Sequence, residues 1–484
     1  EFRIELKGFE GSVETLRQQS SWVGRTNLIA GPFPKTYSMD TPGLTNGIGV
    51  ILWILDHGSP GDQIVVDDVK MRVQMPDVDT ATRALLMSLG MLLENYDDAS
   101  GMVGDRTCFP AGDFENVTAT AKLAKLLAMS MGTGLVDTNR ARLMILQTAN
   151  TLLNTLPRGP DGLNQLWPHF TSLGGTLLAT NSEWASGDTA YALGDLIVAL
   201  KMVGATNELD AATNMLHSID WAALRAPDGH FYHGYTNGVL IGSEWMGFGA
   251  ETMGVLLMAY AGSGLTGEMG PPPTDNGSGF ILHAGYPVVF AGTDRWTNNW
   301  YALRTNECSR QIDWYRTPPH TNGYLATWGL YGLSAGESPE GWAPNSNEIY
   351  QAYGMGGTNA PANDGSNHVV VLHYSGMTAM LREEEARGMW ERLEALGLVS
   401  PLNNVESMSV DPASGVVERV NSLKGSWNLA LQTEGWLLAR PGMARTVYWT
   451  LRADPHLASA YDHYFRSGTA TPSGLSWLLP LLGR

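Results

Sequence analysis

The chain has 484 residues, a formal net charge of -18 and 43% apolar side chains, enough to build a large core. So acidic a balance, with Lys scarce beside Arg, argues against nucleic acid and anionic membranes as partners, because both require a basic face. No apolar run is long enough to span a bilayer, and the only cysteines, Cys108 and Cys308, exclude a cysteine zinc site and leave one disulfide or two buried thiols.

Residues 1–40 are mixed and extended in character, and the apolar run Thr45 to Asp56 is expected to form a first buried helix. From Val78 to Tyr96 a helix is predicted. Asp79 can cap it, and Ala84, Leu85, Leu89, Leu92 and Leu93 recur at helical spacing. Asn95 to Asp105 is turn-rich. Asn116 to Met131 and Thr138 to Leu156 are the next two predicted helices, followed by Ala190 to Met202, Leu209 to Leu216 and Glu251 to Ala261. Gly262 to Gly279, with Pro271-Pro272-Pro273, reads as a linker or as a surface loop of one unit, and the similar motifs on either side favour the loop. Glu383-Glu384-Glu385 opens a helix reaching Leu396, where acids oppose the positive dipole end on a solvated face.

Helices alternate with long polar and aromatic loops, and the many short alternating strands of a propeller or sandwich are not seen. The predicted fold is therefore all-α, an (α/α)6 toroid with its functional loops at one end. Residues 1–80 are expected to be an N-terminal part of the same unit, and residues 80–484 the toroid itself.

Four acidic clusters fall at loop-to-helix junctions. They are Gly101 to Arg106, Glu183 to Asp188, Gly242 to Glu251 and Asn363-Asp364-Gly365. Carboxylates beside flat aromatic rings suit sugar chemistry. The ring stacks on a pyranose face, and a carboxyl group exchanges a proton with a glycosidic oxygen. Sixteen Trp strengthen that reading. Each cluster also has a plain structural explanation. Asp105 and Arg106 can be a local ion pair bracing a loop. Asp188 can be a helix cap, Glu251 a helix-start acid and Asp364-Gly365 a turn pair. The histidines, among them His169, His233 and His283, show no metal-ligand spacing and read as polar core or groove residues. No nucleophile elbow and no phosphate-binding glycine loop is present.

The order of these motifs resembles the glycoamylase-like domain, in particular the endo-β-1,2-glucanases of glycoside hydrolase family 144. Four features over residues 80–440 carry the resemblance: Gly101 to Arg106 before an Ala/Leu helix; Glu183, Ser186 and Asp188-Thr189-Ala190; Trp245 to Glu251 before an apolar helix; and Trp328 to Ala335 with Ser338 to Trp342, leading to Tyr350 to Gly354 and Asp364-Gly365. The resemblance implies an (α/α)6 toroid that hydrolyses internal links of a neutral glucan, with Glu183, Asp188, Glu251 and Asp364 lining the cleft. Departing from the family, Asp364-Gly365 runs into Ser366-Asn367-His368-Val369-Val370.

The resulting expectation is a secreted or periplasmic glycoside hydrolase acting on a neutral polysaccharide, with β-1,2-glucan the first choice. Glu251 is expected as general acid and Asp364 as general base. Asp105, Arg106, Glu183, Asp188 and His368 would hold sugar hydroxyls, and Trp184, Trp245, Trp328 and Tyr353 would serve as stacking platforms. No metal, cofactor, nucleic acid or membrane is expected. A polysaccharide lyase, a transglycosylase and a non-catalytic sugar-binding protein are the alternatives.

Overall fold

A computed structural model describes residues 2–10, 13–19, 48–54, 77–106, 114–159, 165–180, 182–272, 277–285, 292–316, 329–339, 350–355, 369–400, 403–410, 416–421 and 424–465. The chain divides into two compact units, Glu1–Met71 and Arg72–Arg484.

The first unit holds an antiparallel sheet of β1 (Phe2–Glu10), β2 (Val13–Gln19) and β3 (Ile48–Ile54), in the order β2-β1-β3. Phe2 stands opposite Ile54 and Gly8 opposite Ile48. The helix expected from Thr45 to Asp56 is therefore a strand over Ile48–Ile54. An unbroken apolar run carries no periodicity to separate the two states, and its Ile and Val content favours the extended one.

The second unit is mainly helical. Its helices are α1 (Thr80–Glu94), α2 (Val117–Met131), α3 (Thr138–Asn150), α4 (Ser186–Val203), α5 (Thr206–Ser218) and α6 (Ala250–Ser263). They continue as α7 (Gly279–His283), α8 (Trp300–Arg316), α9 (His373–Thr378), α10 (Glu383–Ala395), α11 (Ser426–Leu438), α12 (Met443–Arg452) and α13 (Pro455–Tyr464). The expected cap of α1 is present, Asp79 accepting from the Thr82 amide, while Asn116, read as the first helical residue, instead caps α2 by accepting from the Ala119 amide. The all-α expectation needs amending, because short antiparallel strands join the helix ends. They include β4 (Phe114–Asn116) with β5 (Phe170–Ser172), and β6 (Trp184–Ala185) with β7 (Gly234–Thr236) and β8 (Val239–Leu240). Farther on, β9 (Ala335–Glu337) pairs with β10 (Tyr350–Ala352), and β11 (Val369–Val371) with a strand at Ser407–Val410.

Two kinds of helix are present. In α2 every residue but Met131 is buried, and in α11 every residue but Trp427. Such helices lie inside a core and show no solvated face. By contrast, α3 buries Ala141, Met144, Ile145, Thr148 and Ala149, one stripe at helical spacing. The helix α10 does the same with Ala386, Met389, Trp390 and Leu393. Along the buried set α2 packs on α4, α4 on α6, α6 on α7, α7 on α9, α9 on α11 and α11 on α2. Each has a second neighbour: α3 on α2, α5 on α4, α13 on α6, α8 on α7, α10 on α9 and α1 on α11.

Four charges are sealed among the core helices. Lys122 Nζ lies 2.9 Å from Asp195 and 2.8 Å from Glu434, and Lys125 Nζ lies 2.7 Å and 2.5 Å from the same two acids. Each carboxylate therefore meets two ammonium groups, and the four charges cancel. This cross-links α2, α4 and α11 below their N-terminal ends. The Gly262–Gly279 stretch runs from the end of α6 to the start of α7 within the second unit.

Candidate active site

The N-terminal ends of α2, α4, α6 and α11 supply the side chains that meet. At α2, the cap residue Asn116 donates from Nδ2 to Asp105 Oδ1 at 2.9 Å. Two residues on, in the first turn of α2, the Thr118 hydroxyl donates to Asp188 Oδ1 at 2.6 Å. The loop before α2 is tied to α11, because the Ser426 amide donates to the Asp105 carbonyl at 2.7 Å. Asp105 and Arg106 do form the adjacent ion pair that the sequence allows, at 2.9 Å, and Arg106 also reaches Glu337.

Helix α4 begins earlier than its apolar pattern suggests, at Ser186. Asp188 is thus a first-turn acid and not the cap. The cap position is Ala185, with no side-chain hydrogen bond. The start is fixed from outside the segment: the Ser186 hydroxyl donates to the Tyr232 and His233 carbonyls at 2.8 and 3.0 Å. Trp245 Nε1 in turn donates to Ser186 Oγ at 2.9 Å. Its indole lies on Gly187, where a Cβ would sit 2.6 Å from the ring. Trp184 likewise covers Gly159, where a Cβ would meet the indole at 2.5 Å. One face of each indole is therefore committed to packing. Both residues remain partly exposed.

His169 stands between the two acids of the second motif. Its Nδ1 is 3.0 Å from Glu183 Oε1 and its Nε2 is 3.8 Å from Asp188 Oδ1. Burial works against its charge, but Asp188, the Glu183 hydrogen bond and the charges of Glu183 and Asp105 outweigh it and push the imidazole up to about 9. The hydrogen bond from His169 lowers the Glu183 carboxyl, with burial opposing. His169, Glu183 and Asp188 each place one ligand-type atom within 4.8 Å of the others. A cation would have to share one ring nitrogen between both acids, whereas the ring presents a different nitrogen to each. The arrangement fits an imidazolium between two carboxylates better than a metal centre.

Glu251 enters from the first turn of α6 and is half-buried. Burial first, then the charge of Asp188, raise its carboxyl from the ordinary range to about 7, while His169 draws it down. Among the described residues no hydrogen bond to the Glu251 carboxyl is found. The group is therefore an acid whose proton is held toward neutrality, with the charge of Asp188 acting on it.

Of the expected site residues, the structure brings together Asp105, Arg106, Glu183, Asp188 and Glu251. Trp184 and Trp245 pack at the start of α4. Tyr353 is a core residue, 2% exposed, and offers no open face. Asp364, His368 and Trp328 lie outside the described residues. Cys308 is a buried free thiol, and Cys108 also lies outside the described residues. The sequence reading passed over His169, Thr118, Glu337 and Tyr350. Tyr350 is 50% exposed and stands directly opposite Glu337 in the β9–β10 pair.

Comparison with known proteins gives the fold a class. No protein-family model and no curated protein sequence matches the chain. Solved structures do match. A provisionally assigned glucoamylase from Bacteroides uniformis superposes with a TM-score of 0.65 at 11% identity, covering 81% of this chain and 98% of that one. An endo-β-1,2-glucanase from Chitinophaga pinensis, in complex with sophorotriose and glucose, gives 0.61 at 11% identity over 80% and 98%. An endo-β-1,2-glucanase variant from Talaromyces funiculosus, bound to β-1,2-glucan, gives 0.52 at 15% identity over 80% and 90%. The chain thus has the fold of these glucoamylase-like and endo-β-1,2-glucanase structures.

Proposed function

We propose that the protein is a glycoside hydrolase that cleaves a neutral β-glucan, with β-1,2-glucan as the first substrate to try. One observation carries the reading: a half-buried carboxyl, Glu251, raised to about 7 beside the acid Asp188. Such a group can hand a proton to a glycosidic oxygen as the C–O bond breaks. Asp188, held by Thr118 and faced by His169, is the neighbour whose charge raises that acid. Asp364 is the proposed general base, taking a proton from the water that attacks the sugar carbon. Asp105, Arg106 and Glu183 would hold sugar hydroxyls, and the partly exposed faces of Trp184 and Trp245 would stack on sugar rings. His368 and Trp328 are proposed for the same two tasks.

The same reading takes the Arg72–Arg484 unit as an (α/α)6 toroid. The succession of packings from α2 through α4, α6, α7, α9 and α11 back to α2 supports an inner ring of six, each with an outer neighbour. A polymeric substrate fits an exported enzyme. Among the described residues no helix is long and apolar enough to cross a membrane.

A reducing-end assay against a panel of purified glucans, β-1,2-glucan included, tests the proposal. Release of reducing ends from at least one neutral glucan, abolished by Glu251→Gln, is the expected result. Binding without new reducing ends would identify a sugar-binding protein instead. Products absorbing in the ultraviolet would identify a lyase, and longer product chains a transglycosylase.

A further inference from the structure

The imidazole of His169 is held more firmly than a groove histidine requires. Its backbone amide donates to the Glu183 carbonyl at 3.0 Å, while its side chain meets the carboxylate of the same residue. Its own carbonyl accepts from the amide of Val117, the first residue of α2, at 3.5 Å. Phe170 stacks on the ring at a centroid distance of 3.8 Å and an interplanar angle of 20°. The ring is therefore fixed in plane and in position, with one nitrogen toward Glu183 and the other toward Asp188.

We propose that His169 is a positioning residue, a cationic bridge that orients Glu183 and Asp188 on its two ring nitrogens and sets the field felt by Glu251. The inference rests on the reading of Glu251 as the acid of the site. Three carboxyl groups converge here: Glu183 from the loop before β6, Asp188 from α4 and Glu251 from α6. Asp105, with its partner Arg106, faces the ring from the loop before α2, and His233 acts on Glu183 from the β7 side. Without a cation, the charge of Asp188 would press unopposed on Glu251 and hold its proton past the point where it can be given up. With the imidazolium beside it, only part of the Asp188 charge reaches Glu251. The Nδ1 side meets Glu183 at hydrogen-bond distance, and the Nε2 side faces Asp188 at 3.8 Å, a charge contact that an imidazolium makes and a neutral ring does not.

Two measurements test this. The first uses the unmodified protein with no substrate: proton–nitrogen correlation spectra of 15N-histidine-labelled protein, with His169 assigned by its loss in His169→Gln. The ring should stay doubly protonated through pH 8, and a neutral ring at pH 7 overturns the proposal. The second follows the Glu251 carboxyl by 13C spectra across pH, assigned with Glu251→Gln. In His169→Gln, which keeps hydrogen-bonding groups but loses the charge, the Glu251 midpoint should move up by roughly one unit. An unmoved midpoint overturns the proposal, as a purely structural role would leave it in place. Neither readout needs turnover. An inactive protein with a charged His169 would therefore refute the hydrolase reading alone, and an active one with a neutral His169 would refute the bridge alone.

Discussion

Thr118 and Asp188, seventy residues apart, share a 2.6 Å hydrogen bond that joins the first turns of α2 and α4. The hydroxyl donates and the carboxylate accepts, so the bond is charge-assisted. It fixes the orientation of the acid that raises Glu251. Thr118→Val keeps the shape of the side chain and removes the donor. The variant is expected to lose about tenfold or more in kcat/KM on the responsive glucan, with a stability cost of roughly 1–3 kcal/mol. Steady-state kinetics and urea unfolding measure the two effects, and an unchanged kcat/KM would remove Thr118 from the site.

Glu251 should make the protein less stable as pH rises. Its carboxyl is raised to about 7 in the fold from an ordinary value of 4.5. Between those values the folded chain binds a proton that the unfolded chain has released, so this group's contribution to stability falls with pH. It is fully favourable below about 4.5 and lost through 7. Glu251→Gln cannot ionise and escapes that loss. Its Tm should therefore gain on the wild type between pH 5 and pH 8, even as activity disappears. A Tm difference that stays flat across this range would show that the carboxyl is not raised.

The wild-type pH profile follows from the same group. With Glu251 as the proposed proton donor, kcat/KM should fall on the alkaline side with a midpoint near 7, the value to which burial and Asp188 raise Glu251. In Asp188→Asn the second of those causes is gone, and the limb should move to lower pH. A limb that stays in place would mean that another group supplies the proton.

Much of the helical frame is legible in the chain because its signals are local. Asp79 three residues before Thr82 is a cap that the sequence states outright, and Asn116 falls at the predicted start of the next helix. The site is legible only in part. Asp105, Glu183, Asp188 and Glu251 stand out as acids at helix starts, and the structure brings those starts together. His169 carries no such sign, since its partners lie 14 and 19 residues on and meet it only through strand pairing and the start of α4. The start of α4 itself is set by Ser186 reaching Tyr232 and His233, a tertiary fact that apolar periodicity does not contain. Tyr350 and Tyr353 look alike in sequence, yet pairing with β9 leaves the first open and sends the second into the core.

The buried charges should be far more costly to break than to replace. Lys125 is driven upward because Asp195 and Glu434 outweigh its burial, and the Glu434 carboxyl is held down by Lys122 and Lys125 against its own burial. Lys125→Met leaves two carboxylates sharing one ammonium in a dry core, at a cost of roughly 3–5 kcal/mol. Lys125→Met combined with Asp195→Leu restores neutrality and should be less destabilised than Lys125→Met alone. Chemical unfolding of both variants decides it. A double variant weaker than the single would mean that the charges stabilise the fold beyond cancelling one another.

Tyr350 is expected to carry a sugar ring. As the cross-strand partner of Glu337 it lies on the same face of the β9–β10 pair, and the Glu337 carboxylate holds Arg106. Its ring therefore sits beside the Asp105–Arg106–Glu337 bridge with half its surface exposed. An exposed aromatic next to a chain of hydroxyl-binding charges is where a pyranose face would rest. Tyr350→Ala removes that surface and should raise KM by roughly fivefold with a smaller change in kcat, since a stacking loss of about 1 kcal/mol acts on ground and transition states alike. Tyr350→Phe keeps the ring and should stay close to wild type. If Phe were as damaging as Ala, the hydroxyl and not the ring face would be the contact. If Ala left KM unchanged, Tyr350 would lie outside the substrate path and the cleft would end at Arg106.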